Sequence, residues 1–121
     1  MNTAIGQDIE RAISFLKAGE TVAIPTETVY GLAADATNED AVLKIFEAKG
    51  RPTSNPLILH FADIDSIYPY VAEFPETLLK LAKRFSPGPI TFILPKSSLV
   101  PSLITAGQET VAVRVPEHEM T

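Results

Sequence analysis

The segment KGRPTSNPLILH, residues 49–60, combines residue types that bind anions. Lys49 supplies a point charge, Arg51 a planar fork of donors, and Asn55 an uncharged donor, while two prolines stiffen the backbone. The segment contains no acid, although the whole chain carries a formal net charge of −5. A rigid loop of this kind can hold phosphate oxygens. Cations also stabilise the C-terminal end of a helix, so the residues alone leave a phosphate site and a helix end equally open.

Further polar side chains have types suited to a ligand pocket. Arg114 lies within the apolar run VAVRVP, where a buried charge needs an acid or an anionic ligand as its partner. His60 ends another apolar run, although a histidine in a strand is more often simply packed. Thr28 and Tyr30, in PTETVYGLA, offer a hydroxyl and a ring for the lip of a pocket, but taken alone they are better explained as an ordinary turn.

The composition excludes several kinds of site. With 121 residues, no cysteine and two histidines, the chain suits one domain without a disulfide, a thiolate metal site or a histidine-rich metal site. The acidic net charge argues against a generally basic nucleic-acid surface but leaves a local basic groove open. No Walker, GxGxxG or GxSxG motif is present. The sequence has no membrane-length apolar run and no signal peptide, which together with the lack of cysteine favours a cytoplasmic protein without a membrane partner.

Helices and strands alternate along the predicted chain, which favours an α/β open sheet. Apolar periodicity predicts helices over residues 7–18, 37–50, 63–68 and 75–85. Strands are predicted over residues 21–25, 55–61, 88–96 and 110–116, and a loop followed by a strand of small residues over 26–36. The runs NPLILHF and GPITFIL are nearly all apolar and predict strands covered on both faces.

Two of these helices have a clear apolar face. The first is predicted to place Ile9, Ala12, Ile13 and Leu16 on one face. The second is predicted to bury Ala41, Val42, Ile45 and Phe46, and to end at Gly50. The final residues, EHEMT, are typical of the first turn of a further helix.

Four segments together resemble the YrdC-like family in order and spacing: IPTETVYGLAADA, IFEAKGRPTSNPLILHF, FSPGPITFIL and TVAVRVPEH. The resemblance runs from about residue 7 to the last residue. It implies a twisted mixed sheet with flanking helices around a concave, positively lined cavity. Members of the family are threonylcarbamoyl-AMP synthases, which join L-threonine, bicarbonate and ATP into threonylcarbamoyl-AMP and pyrophosphate for tRNA modification. The resemblance therefore implies a nucleotidyltransferase with ATP as substrate, Mg²⁺ as a companion ion, and tRNA-modification proteins and RNA as partners.

The resemblance also implies which residues bind the amino acid. It assigns Thr28 and His60 to threonine and Arg114 to the threonine carboxylate. Tyr30 is expected to form part of the pocket wall. No metal-ligating set of protein side chains is expected.

A second group is implied for the nucleotide. Arg51, Asn55 and Thr110 are expected to contact it, and Lys49 belongs to the same cationic motif. Lys49 and Arg51 are the expected catalytic residues, because they would offset the repulsion between the carbamate and the triphosphate and the charge on the leaving pyrophosphate.

The resemblance implies one YrdC-like domain, of which residues 1–121 are the amino-terminal portion. The family's Ser-x-Asn motif, which completes the nucleotide site, is not found in this sequence. Three other interpretations stay open. They are a module that binds a nucleotide or double-stranded RNA without catalysis, a related carbamoyl-adenylate-forming domain that uses carbamoyl phosphate, and a purely structural domain.

Overall fold

Residues 5–118 are described by the computed structural model, and they form helices and two small β-sheets. The α-helices are α1 Ile9–Lys17, α2 Glu39–Lys49, α3 Glu76–Phe85 and α4 Ser102–Thr105, and a 3₁₀ helix spans Asp65–Tyr70. The strands are β1 Val22–Ile24, β2 Gly31–Ala33, β3 Ile58–His60, β4 Phe92–Pro95 and β5 Thr110–Arg114. No helix in this part of the chain has both the length and the apolar character that crossing a membrane requires.

The strands form two separate sheets. β1 and β2 pair antiparallel as a hairpin, and the other three strands form a sheet in the order β3-β5-β4. Within this sheet β3 runs parallel to β5, with Ile58 opposite Ala112 and His60 opposite Arg114, while β4 runs antiparallel to β5. The prediction of an α/β fold with a mixed sheet and flanking helices is therefore confirmed.

The three-stranded sheet buries one face and leaves the other open. Leu59, Leu94 and Val113 are at most 6% exposed and pack in the core, whereas Ile58 is 46% and Ile93 is 69% exposed. Helix residues that complete the core on the covered face are Val42, Phe46, Ile67, Ala82 and Ile104. The prediction that both faces of these strands are covered was wrong, because the helices supply apolar side chains to one face only.

Helix α2 forms as its sequence predicts. The side chain of Asn38 accepts a hydrogen bond from the N–H of Ala41 at 3.2 Å, which satisfies a free donor at the start of the helix. The predicted apolar face is confirmed, and its buried residues are Ala41, Val42, Ile45 and Phe46. Gly50 ends the helix in the left-handed region, at φ 60° and ψ 26°.

Helix α1 forms where it was predicted, and its apolar face stays partly exposed. None of its residues is buried, and Ile9 and Ile13 are each 44% exposed. An amphipathic sequence is enough to define the helix and its face, but burial needs a second element, and within residues 5–118 no core residue packs across this face. The short helix α4 was not predicted. The helical turn predicted for EHEMT lies mostly outside the described residues.

Gly50 gives a first testable prediction. A Cβ at this position meets no atom within 4 Å, so Gly50→Ala should destabilise the fold through backbone strain alone, by about 1–2 kcal/mol. Gly6→Ala is the matched control, because Gly6 also has open space and does not adopt a positive φ. Urea unfolding should separate the two variants by that amount, and equal stabilities would contradict the left-handed conformation of Gly50.

Candidate functional site

A cavity of about 660 Å³ lies between the β1–β2 hairpin, helix α2 and the edge strand β3. Its polar lining residues are Thr26, Asp35, Thr37, Lys49, Arg51, His60, Ser66 and Tyr70. Apart from His60, the charged residues in this lining are the cations Lys49 and Arg51 and the acid Asp35. The carboxylate of Asp35 already accepts hydrogen bonds from the backbone N–H and the hydroxyl of Thr37, at 2.9 and 2.6 Å. The cavity therefore carries an excess of positive charge.

The end of α2 holds the two cations on the same cavity. The left-handed Gly50 reverses the chain, and the N–H of Arg51 donates to the carbonyl oxygen of Phe46 at 2.9 Å, so the backbone of Arg51 is fixed. Arg51 Nη2 donates to the carbonyl oxygen of Pro56 at 2.7 Å, whereas its Nε is buried without a partner among residues 5–118. Lys49 forms no ion pair within the same range. The site thus contains an unpaired ammonium and an unsatisfied guanidinium donor.

The loop between these cations and β3 is a tight turn. The N–H of Asn55 donates to the carbonyl oxygen of Pro52 at 3.1 Å, and the N–H of Leu57 donates to that of Ile104 at 2.8 Å. These hydrogen bonds fix both ends of the Pro-rich segment without using the Asn55 side chain. The loop is therefore rigid enough to hold Arg51 against the cavity.

His60, the last residue of the edge strand β3, also lines the cavity. Its Nδ1 lies 3.3 Å from the carbonyl oxygen of Ile58. Because a carbonyl only accepts, this contact favours the tautomer with the proton on Nδ1 and leaves Nε2 as an acceptor. Desolvation lowers the pKa of His60 below 6.5 and the positive charge of Arg114 adds to that effect, whereas the Ile58 contact and the charge of Glu27 raise it. His60 is therefore neutral near pH 7.

Arg114 lies next to His60 on the open face of the sheet, but it already has an acidic partner. Its Nη2 donates to the carboxylate of Glu27, from the hairpin loop, and its Nε donates to the carbonyl oxygen of Gly88 at 3.1 Å. Burial alone would raise the pKa of Glu27. The hydrogen bonds from Arg114 and from the backbone N–H groups of Glu27 and Glu117, with the positive charge of Arg114, outweigh burial and hold that pKa below its ordinary value.

The hydroxyl of Thr26 makes several of the hydrogen bonds that hold the loop carrying Glu27. Thr26 Oγ1 donates to the carbonyl oxygen of Val29 at 2.7 Å and accepts from the N–H groups of Thr28 and Val29, both at 3.3 Å. Thr28 Oγ1 lies 3.0 Å from Thr26 Oγ1, while Tyr30 is 74% exposed. The loop is therefore ordered without a ligand.

The structure brings together part of the residue set implied by the resemblance. The members that line the cavity are Lys49, Arg51 and His60, and Arg114 is the strand neighbour of His60. The members outside the cavity lining are Thr28, Tyr30, Asn55 and Thr110. Sequence reasoning did not single out Glu27. Its signal was the charge of Arg114 in an apolar strand, which required an acid from elsewhere in the chain.

The lowered pKa of His60 predicts how stability depends on pH. In the unfolded chain His60 takes up a proton near pH 6.5, whereas in the folded chain it does so only at lower pH. The contribution of the neutral His60 ring to the free energy of unfolding is therefore complete above pH 6.5 and is lost as the pH falls through the folded pKa. Wild type should therefore lose more stability than His60→Gln between about pH 7.5 and about pH 5 in urea unfolding. In a parallel NMR titration, a His118→Gln variant retains only the imidazole signals of His60 and so assigns them. A His60 pKa above 6.5 in the folded chain would contradict the prediction.

Comparison with known proteins agrees with this arrangement of elements. The Sua5/YciO/YrdC family model, described as "Telomere recombination", matches residues 14–121. The chain is 55% identical over 112 residues to a threonylcarbamoyl-AMP synthase of Pyrococcus abyssi and 52% identical over 113 residues to one of Bacillus subtilis. Each match covers 93% of this chain and 33% of the relative. The chain thus spans about a third of the length of these relatives.

A solved structure agrees as well. P. abyssi Sua5 complexed with L-threonine is 53% identical to the chain, with a TM-score of 0.92. The match covers 98% of this chain and 35% of that one. Together these findings show that the chain belongs to the Sua5/YciO/YrdC family.

Proposed function

We propose that this chain carries the amino-acid and nucleotide subsites of a threonylcarbamoyl-AMP synthase, which forms threonylcarbamoyl-AMP and pyrophosphate from L-threonine, bicarbonate and ATP. The observation that carries the proposal is that Lys49, Arg51 and His60 line one cavity. An anion-binding group and a neutral acceptor on the same cavity suit a reaction between a nucleotide and a small amino acid. The names of the relatives and the threonine complex of P. abyssi Sua5 support the same activity.

The cationic group is suited to the phosphates of ATP. Arg51 has a buried Nε–H without a partner among the described residues, and such a donor gains most from an anionic acceptor. Lys49, two residues before Arg51 in the chain, adds a point charge on the same cavity. Asn55 follows in the same loop and Thr110 begins β5, and we assign both to the rest of the nucleotide.

The end of the sheet that carries His60 and Arg114 is suited to the amino acid. His60 and Arg114 are opposite each other at the end of β3, and both side chains lie on the uncovered face. We assign Arg114 to the threonine carboxylate, His60 and Thr28 to its polar groups, and Tyr30 to the pocket wall. The parallel register separates this end from Thr110 by four residues along β5, or about 13 Å, so threonine and nucleotide can lie side by side.

The reaction needs charge stabilisation and positioning more than a protein nucleophile. The threonine ammonium and bicarbonate first combine, with release of one water molecule and one proton, so that a nitrogen–carbon bond forms and gives a carbamate. A carbamate oxygen then forms a bond to the α-phosphorus of ATP, and the bond to pyrophosphate breaks. Lys49 and Arg51 lower the repulsion between the two anions and stabilise the leaving pyrophosphate.

We assign Mg²⁺ to the nucleotide phosphates rather than to a protein site. Within residues 5–118 no group of three or more His, Asp or Glu side chains could hold a metal ion, and Mg²⁺ commonly binds phosphates with few protein ligands. When bound, the ion would supply further neutralisation of phosphate charge. We further propose that the partners of the protein are RNA and other proteins of tRNA modification, and that its location is cytoplasmic.

ATP–pyrophosphate exchange tests the proposed activity. Exchange is measured on the 121-residue chain and on a version extended to the length of its relatives, which adds the family's Ser-x-Asn motif. The extended version should incorporate labelled pyrophosphate into ATP only when L-threonine and bicarbonate are both present. Exchange that ignores either co-substrate would contradict the synthase. Carbamoyl phosphate in place of both co-substrates is the control arm, and exchange that needs carbamoyl phosphate would favour a carbamoyl-adenylate-forming domain instead. NMR shifts of Arg51 with ATP and of His60 with L-threonine test the two subsites separately.

A further inference from the structure

The ion pair between Glu27 and Arg114 differs from the other ion pairs of the described residues in its enclosure. Its side chains are 12% exposed for Arg114 and 19% for Glu27, whereas those of the Lys44–Glu20 pair are 43% and 53% exposed. The two residues are 87 positions apart and join the hairpin loop to the end of β5. The pair thus joins the hairpin loop to the sheet through side chains that are less exposed than those of the other ion pairs in residues 5–118.

Arg114 retains donors after this pairing. Nε donates to Gly88 and one Nη2 hydrogen to Glu27, so the two Nη1 hydrogens and the second Nη2 hydrogen have no partner among residues 5–118. Those N–H groups can donate to a second carboxylate without removal of Glu27. Glu27 therefore holds the guanidinium in one orientation while part of its fork stays available.

Glu27 also changes which anion Arg114 attracts. Lys49 and Arg51 have no acidic partner within the described residues, whereas the positive charge of Arg114 is cancelled by the carboxylate beside it. The lowered pKa of Glu27 keeps that carboxylate ionised at neutral pH. A polyphosphate carries several negative charges and is repelled by Glu27 much more than a zwitterionic amino acid, whose net charge is zero.

We propose that Glu27 is a specificity-determining residue that reserves Arg114 for the carboxylate of a zwitterionic amino acid and directs polyphosphates to Lys49 and Arg51. The inference rests on the proposed function, because it needs an amino acid and a nucleotide on the same site. It adds a role for a residue that touches neither the cavity cations nor the phosphates. Discrimination between the two anions then depends on a repulsive charge rather than on an additional contact.

The test measures L-threonine binding to the 121-residue chain by calorimetry, with and without saturating inorganic pyrophosphate. In wild type, pyrophosphate should change the dissociation constant of threonine by less than about twofold. In Glu27→Gln, pyrophosphate should gain access to Arg114 and weaken threonine binding by about tenfold or more. Glu73→Gln removes the same charge from an exposed position without an ion pair in the described residues, and it should behave as wild type.

The NMR signal of the Arg114 Nε–H gives an independent readout. Pyrophosphate should shift it in Glu27→Gln and leave it unchanged in wild type and Glu73→Gln. If Glu27→Gln does not fold, Glu27→Asp replaces it, because the shorter carboxylate retreats from Nη2 and should allow about threefold competition. Competition in wild type, or none in either Glu27 variant, overturns the inference while threonine binding still supports the proposed function. A wild-type chain that binds pyrophosphate but not threonine overturns both.

Discussion

Arg51→Ala should weaken ATP binding by about 2–4 kcal/mol, or roughly 30- to 1,000-fold. The side chain supplies a charge-assisted donor that is buried and unpaired, so its interaction with a phosphate is screened little by water. Isothermal calorimetry of ATP into the 121-residue chain measures the change. Arg51→Lys should give an intermediate loss, because lysine keeps the charge but not the planar fork.

The matched control is Arg84→Ala. Arg84 is an exposed arginine in the last turn of α3, with its guanidinium 5.5 Å from the Phe85 ring centroid, and it does not line the cavity. Both variants remove one positive charge, so any general effect of net charge cancels between them. Equal losses in the two variants would show that Arg51 acts only through the net charge of the molecule, and an unchanged affinity for Arg51→Ala would remove the phosphate site from this loop.

Leu94→Ala should cost about 2–5 kcal/mol of unfolding free energy, the largest stability effect that we expect from a single substitution. Leu94 is 0% exposed in β4, where it packs in the core opposite Val111 of β5. Its removal loses buried apolar surface and leaves a cavity that the rigid sheet cannot fill. Because the free energy of unfolding of a small domain is only about 5–15 kcal/mol, this loss is a large share of it.

Ile93→Ala is the control from the same strand. Ile93 is 69% exposed on the open face, so its truncation should cost less than about 1 kcal/mol. In urea unfolding with a slope of about 1–3 kcal/mol per molar, the two midpoints should differ by at least about 0.3 M, with the Leu94→Ala midpoint the lower. Similar losses would mean that the helices do not cover the face that carries Leu94.

The sequence predicted the structure best where several local signals agree with one another. In α2 the cap at Asn38, the acids of the first turn, the apolar periodicity and Gly50 all specify the same helix, and its face and end were confirmed. The loop that follows was predicted to join Lys49 and Arg51 to His60, and the structure has all three on one cavity. The roles of these side chains remain predictions.

The sequence predicted the structure least well where burial or pairing depends on residues that are distant in the chain. The apolar runs around Ile58 and Ile93 do not alternate with polar residues, so periodicity could not reveal that one face is open. Burial of α1 depends on what packs over it, which its own residues do not encode. The pairing of Glu27 with Arg114 spans 87 positions, and no local pattern specifies such a contact.

The position of β5 has a consequence for synthesis on the ribosome. β5 is the middle strand of its sheet, yet it follows β3 and β4 in the chain. Neither β3 nor β4 can complete its ladder until Thr110–Arg114 has left the exit tunnel, and by then helices α1 to α4 have already emerged. The nascent chain must therefore carry β3 unpaired while residues 61–109 are made, and during that interval β3 and β4 are exposed to association with other chains. Chaperone binding to such a nascent chain should end only once β5 has been translated.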